Sequence, residues 1–289
     1  MEKDELRAKI YSKIDELPTL PTVIPKLLSL MDGSKSNAAD VTEAISHDPS
    51  LTSKILKVSN SAYYGFPQGI SNLERAVALL GFNMIKSLAL SMGVLSSLPS
   101  GSKFPHFSQE GLWIHSLAVA TAMKELGQRF GAGDDRDYLF IIGLLHDIGK
   151  VVLDQFFGEL FQQALEEAQN LEKARLYMAE RKVIGFDHGE VGAMLLKRWM
   201  FPDMIVNPIA IHHQTEIPEG TNSADTAMLR IADALPQELG LGDEGNPTVS
   251  EIHEADLQVL EMKEKDLEDM KEYLHGAKDG IYAFFSAMS

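Results

Sequence analysis

The chain has 289 residues, of which 45% are hydrophobic and 24% charged, with a net charge of -16 and no cysteine. That length and apolar content supply a substantial core, in one large domain or two packed lobes, and exclude disorder throughout. The acidic balance argues against a broad surface for duplex nucleic acid. Without cysteine there are no disulfides or thiolate ligands, so any metal must be held by imidazole and carboxylate.

Met1-Glu2-Lys3-Asp4-Glu5-Leu6-Arg7-Ala8-Lys9-Ile10 carries charges where a secretory signal would place an apolar run. No later stretch reaches about eighteen uninterrupted apolar residues, so a cytoplasmic protein with no membrane span is expected. Apolar residues recur at helical spacing and no alternating strand series stands out, which predicts an all-α fold. Ser36-Asn37 and Asp48-Pro49 read as helix starts. Asn60, Ser61 and Tyr64 follow Ile55-Leu56-Lys57-Val58, where an asparagine and a serine end a helix and tie down the next turn; this structural role is favoured over ligand contact.

Gly65-Phe66-Pro67-Gln68-Gly69 and Leu98-Pro99-Ser100-Gly101-Ser102 read as loops, the second a boundary between a helical lobe (1–100) and a lobe carrying every candidate ligand (101–238). Leu239-Gly240-Leu241-Gly242-Asp243-Glu244-Gly245-Asn246-Pro247 is a flexible or turning link. It opens a 239–289 tail whose charged amphipathic segment, with Leu257, Leu260, Leu267, Met270 and Leu274, either caps the fold or binds a partner.

Seven metal-capable side chains lie in the second lobe: His115, His146, Asp147, His188, His212, His213 and Asp233. In Leu144-Leu145-His146-Asp147-Ile148-Gly149-Lys150 an apolar helix delivers an imidazole and a carboxylate together before a glycine ends or bends it. Helix neighbours point about 100° apart, so both can reach one ion while the second carboxylate oxygen bridges to another. His115 and Asp233 fall inside helical apolar patterns, His188 opens one, and His212-His213 follows Ile209-Ala210-Ile211. Taken singly, each histidine is better explained as a hydrogen-bonded core or surface residue, and the spacing alone matches no zinc rule; it is the combination of a His-Asp and a His-His pair that points to metal.

The series His115, His146-Asp147, His188, His212-His213, Asp233 resembles the metal signature of HD-superfamily phosphohydrolases, especially the HD-GYP branch. Upstream, Leu17-Pro18-Thr19-Leu20-Pro21, His47-Asp48-Pro49-Ser50-Leu51, Asn60-Ser61-Ala62-Tyr63-Tyr64 and Ala76-Val77-Ala78-Leu79-Leu80-Gly81-Phe82 resemble an HDOD domain, the HD-related output domain of bacterial signalling proteins. The resemblance runs from about residue 15 to 235. It implies His115, His146, Asp147 and Asp233 around one ion, with Asp147 bridging to a second held by His188, His212 and His213. Many HDOD domains have lost part of this set, whereas this chain retains a candidate at every position.

Two departures from HD-GYP enzymes stand out. His212-His213-Gln214-Thr215-Glu216-Ile217-Pro218-Glu219-Gly220 lacks the acidic residue and Gly-Tyr-Pro element, which removes the support for cyclic di-GMP hydrolysis, and Gly111 stands where some trinuclear sites have glutamate, so two ions are expected. Iron or manganese is favoured for this donor set, with nickel, cobalt or zinc as alternatives. The implied chemistry is metal-assisted hydrolysis of a phosphoester or nucleotide centred on Asp147, with Lys150 steadying a phosphate or leaving oxygen unless it merely compensates a helix dipole. Asp187 and Glu190 are either acceptors behind His188 or helix-start acids. The competing expectation is a non-catalytic signalling module, its metal structural or absent, that acts through a separate protein partner.

Overall fold

The computed structural model describes residues 3–17, 19–31, 37–101, 107–131, 136–170, 175–214, 217–218 and 223–288. Met1, Glu2, Pro18, Ser36, Ser102, Thr215, Glu216, Glu219 and Gly220, which figure in the segments quoted above, lie outside them. The described residues form helices and irregular segments with no strand, as the all-α expectation requires.

The first half is assembled around one helix. Helices α1 (Lys3–Asp15), α2 (Val23–Ser29), α3 (Ala38–Ser46), α4 (Pro49–Ser59) and α5 (Leu73–Leu80) precede α6 (Phe82–Ser96), and α2 to α5 all pack on α6. Residues Met84 to Val94 of α6 are buried without interruption, the signature of a helix surrounded on every side. Local signals set the starts. Asn37 and Asp40 exchange side-chain and backbone hydrogen bonds in a capping box before α3, and Asp48 accepts from the Leu51 N–H at 2.9 Å with Pro49 in the first turn of α4.

Asn60 ends α4 as its position suggested. Its Nδ2 donates to the carbonyls of Leu56 at 2.8 Å and Ile70 at 2.9 Å, and its Oδ1 accepts from the Ile70 N–H at 2.7 Å. The bond to Leu56 caps α4 and the two to Ile70 close the following loop, whose Tyr63 and Tyr64 pack near Phe284.

The second half consists of α7 (Gln109–Phe130), α8 (Tyr138–Leu145), α9 (Ile148–Phe156), α10 (Gly158–Asn170), α11 (Leu176–Val183), α12 (His188–Arg198), α13 (Asp203–Ile211), α14 (Ser223–Glu238), α15 (Glu254–Val259) and α16 (Glu264–Met288). Helix α7 packs on α8, α14 and α16, while α12 packs on α9 and α13. These contacts enclose the space where the candidate ligands meet. Contacts also join the two halves: α1 lies on α12, α6 on α8, and α16 spans α4, α7 and α14. Because α16 buries Met270, Leu274, Ile281, Phe284 and Ala287, the amphipathic tail covers the core. Among the described residues no single helix is long and apolar enough to cross a membrane.

Candidate metal centre

The helix expected to carry His146 and Asp147 as far as Gly149 is broken on the His-Asp pair itself. Helix α8 ends at Leu145, His146 and Asp147 form the turn, and α9 begins at Ile148. Gly149 neither ends nor bends the helix; it is the point of contact between α9 and α12. A Cβ there would lie 1.9 Å from the His188 carbonyl oxygen and 2.7 Å from the Gly192 nitrogen. Only a residue without a side chain lets α12 bring His188 against Asp147.

All seven candidate ligands converge. Ligand atoms of His115, His146 and Asp147 lie within 4.8 Å of one another, and so do those of His188, His212 and His213. Asp147 belongs to both neighbourhoods. Its Oδ1 is 3.0 Å from His188 Nε2, while its Oδ2 is 3.3 Å from His146 Nε2 and 4.0 Å from His115 Nε2. Asp233, on α14, places Oδ1 3.0 Å from His115 Nε2 and 3.4 Å from His146 Nε2.

Three imidazoles have their tautomers fixed from behind. Nδ1 of His146 is 2.8 Å from the Gly143 carbonyl and Nδ1 of His212 is 2.7 Å from the Ile209 carbonyl. Carbonyls only accept, so each Nδ1 carries a proton, and whenever the ring is neutral its Nε2 lone pair faces the cluster. Neither His146 Nε2 nor His212 Nε2 makes an aligned hydrogen bond. Nδ1 of His188 is 2.7 Å from Glu180 Oε2, which also accepts from the His188 backbone N–H at 2.9 Å. Ring nitrogens anchored on a carbonyl or carboxylate with the opposite nitrogen free are the usual arrangement of metal-binding histidines. His188 Nε2 and His213 Nε2 are 2.8 Å apart, and two lone pairs at that distance repel unless a proton or a cation lies on them. The residues present therefore fit divalent cations. His115 differs, since its buried Nδ1 has no hydrogen-bond partner among the described residues.

Without a cation, protons hold the charges. Burial alone would lower His146, but Asp147 and Asp233 outweigh it and push the ring up to about 10. Burial is likewise outweighed at His188, raised to about 9 chiefly by Glu180. His212 moves the opposite way, to about 4, through burial and the positive charges on His146 and His188. Asp147 and Asp233 stay well below the usual carboxylate range despite burial, because His146 and Lys150 flank the former and His115 and His146 the latter.

Lys150 is 1% exposed, and its Nζ donates to Asp147 Oδ2 at 2.7 Å. It occupies the first turn of α9, the end at which the helix dipole repels a cation, so dipole compensation does not explain it. Asp187 and Glu190 form the capping box of α12; the acceptor behind His188 is Glu180, which the sequence reading missed. Also missed was Arg230, which donates to the carbonyls of His212 at 3.2 Å, Ile211 at 3.5 Å and Gln214, and to Asp256 Oδ1 at 3.1 Å. It thereby caps the C-terminal end of α13 and fixes the two histidines that follow. On the outer side Tyr177 stacks on His213 with ring centroids 4.3 Å apart.

Gly111 faces an irregular segment after α14. Its carbonyl accepts from the Asp243 N–H at 3.1 Å, and a Cβ at Gly111 would fall 2.6 Å from the Asp243 carbonyl oxygen. No side chain fits there while that segment holds its place.

Residues 17–215 match the HDOD domain family. The chain belongs to the HDOD family. Its relatives include an uncharacterized protein of Treponema pallidum (strain Nichols), 28% identical over 211 residues that make up 72% of this chain and 40% of the relative. The chain thus spans about two fifths of that relative's length. Among solved structures, an HDOD domain protein of unknown function from Geobacter sulfurreducens is 25% identical, with 97% of each chain covered and a TM-score of 0.81. A Shewanella amazonensis SB2B protein provisionally named a phosphohydrolase shares the fold at 23% identity, covering 97% of this chain and 98% of that one with a TM-score of 0.76.

Proposed function

We propose that this HDOD protein is a signal-transduction component whose centre binds two divalent cations, iron or manganese foremost, and hydrolyses a phosphoester. His115, His146, Asp147 and Asp233 would hold one ion, and His188, His212 and His213 the other, with Asp147 shared. The observation that carries this reading is Asp147 itself, whose two oxygens face separate groups of imidazoles. Imidazole with carboxylate suits iron, manganese, nickel, cobalt or zinc better than calcium. The backbone packed over Gly111 favours two ions over three, since it leaves no room there for a further acid.

Ions so held supply Lewis acidity and a nucleophile at neutral pH. The protein's own groups do the rest. Glu180 orients His188 and keeps its outer nitrogen protonated, Arg230 fixes the backbone that carries His212 and His213, and burial of every candidate ligand but His213 limits the access of bulk water. Lys150 holds Asp147 and is the nearest charge available to a phosphate oxygen that reaches that carboxylate.

A second reading is favoured by one contact, Lys150 Nζ on Asp147 Oδ2. An ammonium there, with protons on His146 and His188, balances the acids without metal and leaves a signalling module that works through a protein partner. Elemental analysis of protein loaded with Fe(II) or Mn(II), beside an Asp147→Ala variant, separates the two. Two equivalents in the wild type, lost in the variant, and metal-dependent turnover of a small phosphomonoester, glycerol 2-phosphate, support the hydrolase. Metal-free protein after loading would end it, and loaded but inert protein would favour the module.

A further inference from the structure

The segment between α14 and α15 has no regular structure, yet it is pinned across the centre at successive points. Leu241 is buried. Gly242 lies against α7, where a Cβ would meet the His115 nitrogen at 2.4 Å. Glu244 is buried, and its charge acts on Lys150. Asn246 Oδ1 accepts from the Leu176 N–H at 2.9 Å at the start of α11. The Ser250 N–H donates to Gln237 Oε1 at 2.6 Å, while Gln237 Nε2 reaches Asp233 Oδ1 at 3.4 Å. The Asp243 N–H adds a bond to the Gly111 carbonyl at 3.1 Å, while the side chains of Asp243, Pro247, Val249 and Glu251 are exposed between these anchors. The strap is therefore attached to α7, α11 and α14 by a few separate contacts.

Its far end lines a cavity of about 110 Å³ that reaches His212, His213 and Asp233, with Ser250, Glu251 and His253 on the strap side. Arg175, Tyr177 and Arg230 line it as well. Arg230 is committed to carbonyls and Asp256, whereas Arg175 makes no ion pair to a described residue. Drug-sized ligands occupy pockets of about 300 Å³ or more. A tetrahedral oxyanion with few attached atoms fits here; a nucleotide does not.

We infer that residues 241–253 form a strap that gates the centre and restricts it to phosphate-sized oxyanions, inorganic phosphate or the phosphoryl end of a small monoester, with Arg175 as the anion's anchor. This rests on the proposed metal centre for its chemistry but not for its gate. Two variants loosen the strap at separate points without touching a candidate ligand: Asn246→Ala removes the bond to α11, and Ser250→Pro removes the donor to Gln237.

The gate is read first on metal-free protein, as the rate of carbethoxylation of His213 followed by mass spectrometry. Loss of one anchoring hydrogen bond should raise that rate about fivefold in each variant. Equal rates in the wild type and both variants overturn the gate. On Mn(II)-loaded protein, calorimetry should show wild type binding inorganic phosphate and not AMP, both strap variants acquiring AMP, and Arg175→Ala losing phosphate. Wild type binding AMP as tightly as phosphate overturns the size restriction. Protein that takes up no metal, with His213 still released in the variants, removes the hydrolase reading and leaves the gate standing.

Discussion

Replacing Glu180 with glutamine tests the centre where its electrostatics are most sharply defined. The variant keeps the shape and an acceptor oxygen but removes the charge that His188 Nδ1 meets at 2.7 Å and its backbone N–H at 2.9 Å. Removing such a partner behind a metal-binding imidazole weakens binding by about 10–100-fold. A second effect has the opposite sign. Glu180 is the chief reason His188 is raised to about 9, so at pH 7 a cation must displace a proton bound two pH units above neutrality, an opposition of about 3 kcal/mol. Glutamine lowers that pKa and weakens the proton's competition.

The two effects offset each other at low pH. As pH rises toward 9, wild-type His188 sheds its proton and only the lost orientation and charge remain. His146, at about 10, titrates in both proteins and drops out of the comparison. Competition of Mn(II) between protein and a chromophoric chelator from pH 6.5 to 9 should therefore show a small deficit in Glu180→Gln at the acid end, growing to tenfold or more at the alkaline end. A deficit as large at pH 6.5 as at pH 9 would refute the assignment of Glu180 as the group that protonates His188.

The remaining predictions concern packing and charge. Gly149→Ala places a methyl 1.9 Å from the His188 carbonyl, so it should cost about 3 kcal/mol, the upper end for overpacking, and reduce metal uptake as α12 moves away; an unchanged Tm with full stoichiometry would contradict the close contact. Lys150→Met leaves buried Asp147 without its ammonium and should lower metal-free stability by about 3–5 kcal/mol, with much of that restored by saturating Mn(II); urea midpoints reduced equally with and without metal would show that the lysine does not stand in for a cation. Asn60→Ala removes three bonds around the loop after α4 and should cost about 1–3 kcal/mol in urea unfolding with an unchanged slope, and a loss below about 0.5 kcal/mol would mark the loop as held by its aromatic residues instead.

The helical architecture was legible because its signals are local: apolar spacing, and Asn37 and Asp48 at their caps. The seven candidate ligands could be listed from residue type and resemblance, but how they meet depends on contacts between distant segments. Gly149 shows the limit. Read along the chain it suggested a helix end, whereas its role is set by α12, some forty residues later in the sequence. Glu180 left a fainter trace, an acid on the apolar face of α11 beside Leu176 and Ala179, both buried, and that pattern identifies a buried charge without naming its partner. The glycines of residues 240–245 announced an irregular link, but nothing in that composition states that it crosses the centre.

The position of α16 bears on how the protein comes to be folded. That helix lies on α4, α7 and α14, yet its residues are synthesised after every one of them. Until they emerge from the ribosome, the nascent chain displays the apolar surfaces that Met270, Leu274, Ile281 and Phe284 later cover. Helices α7 and α14, bearers of His115 and Asp233, already pack on each other and on α8, but lack their cover by α16 throughout that interval. The packing around those two side chains is thus complete only once α16 has docked.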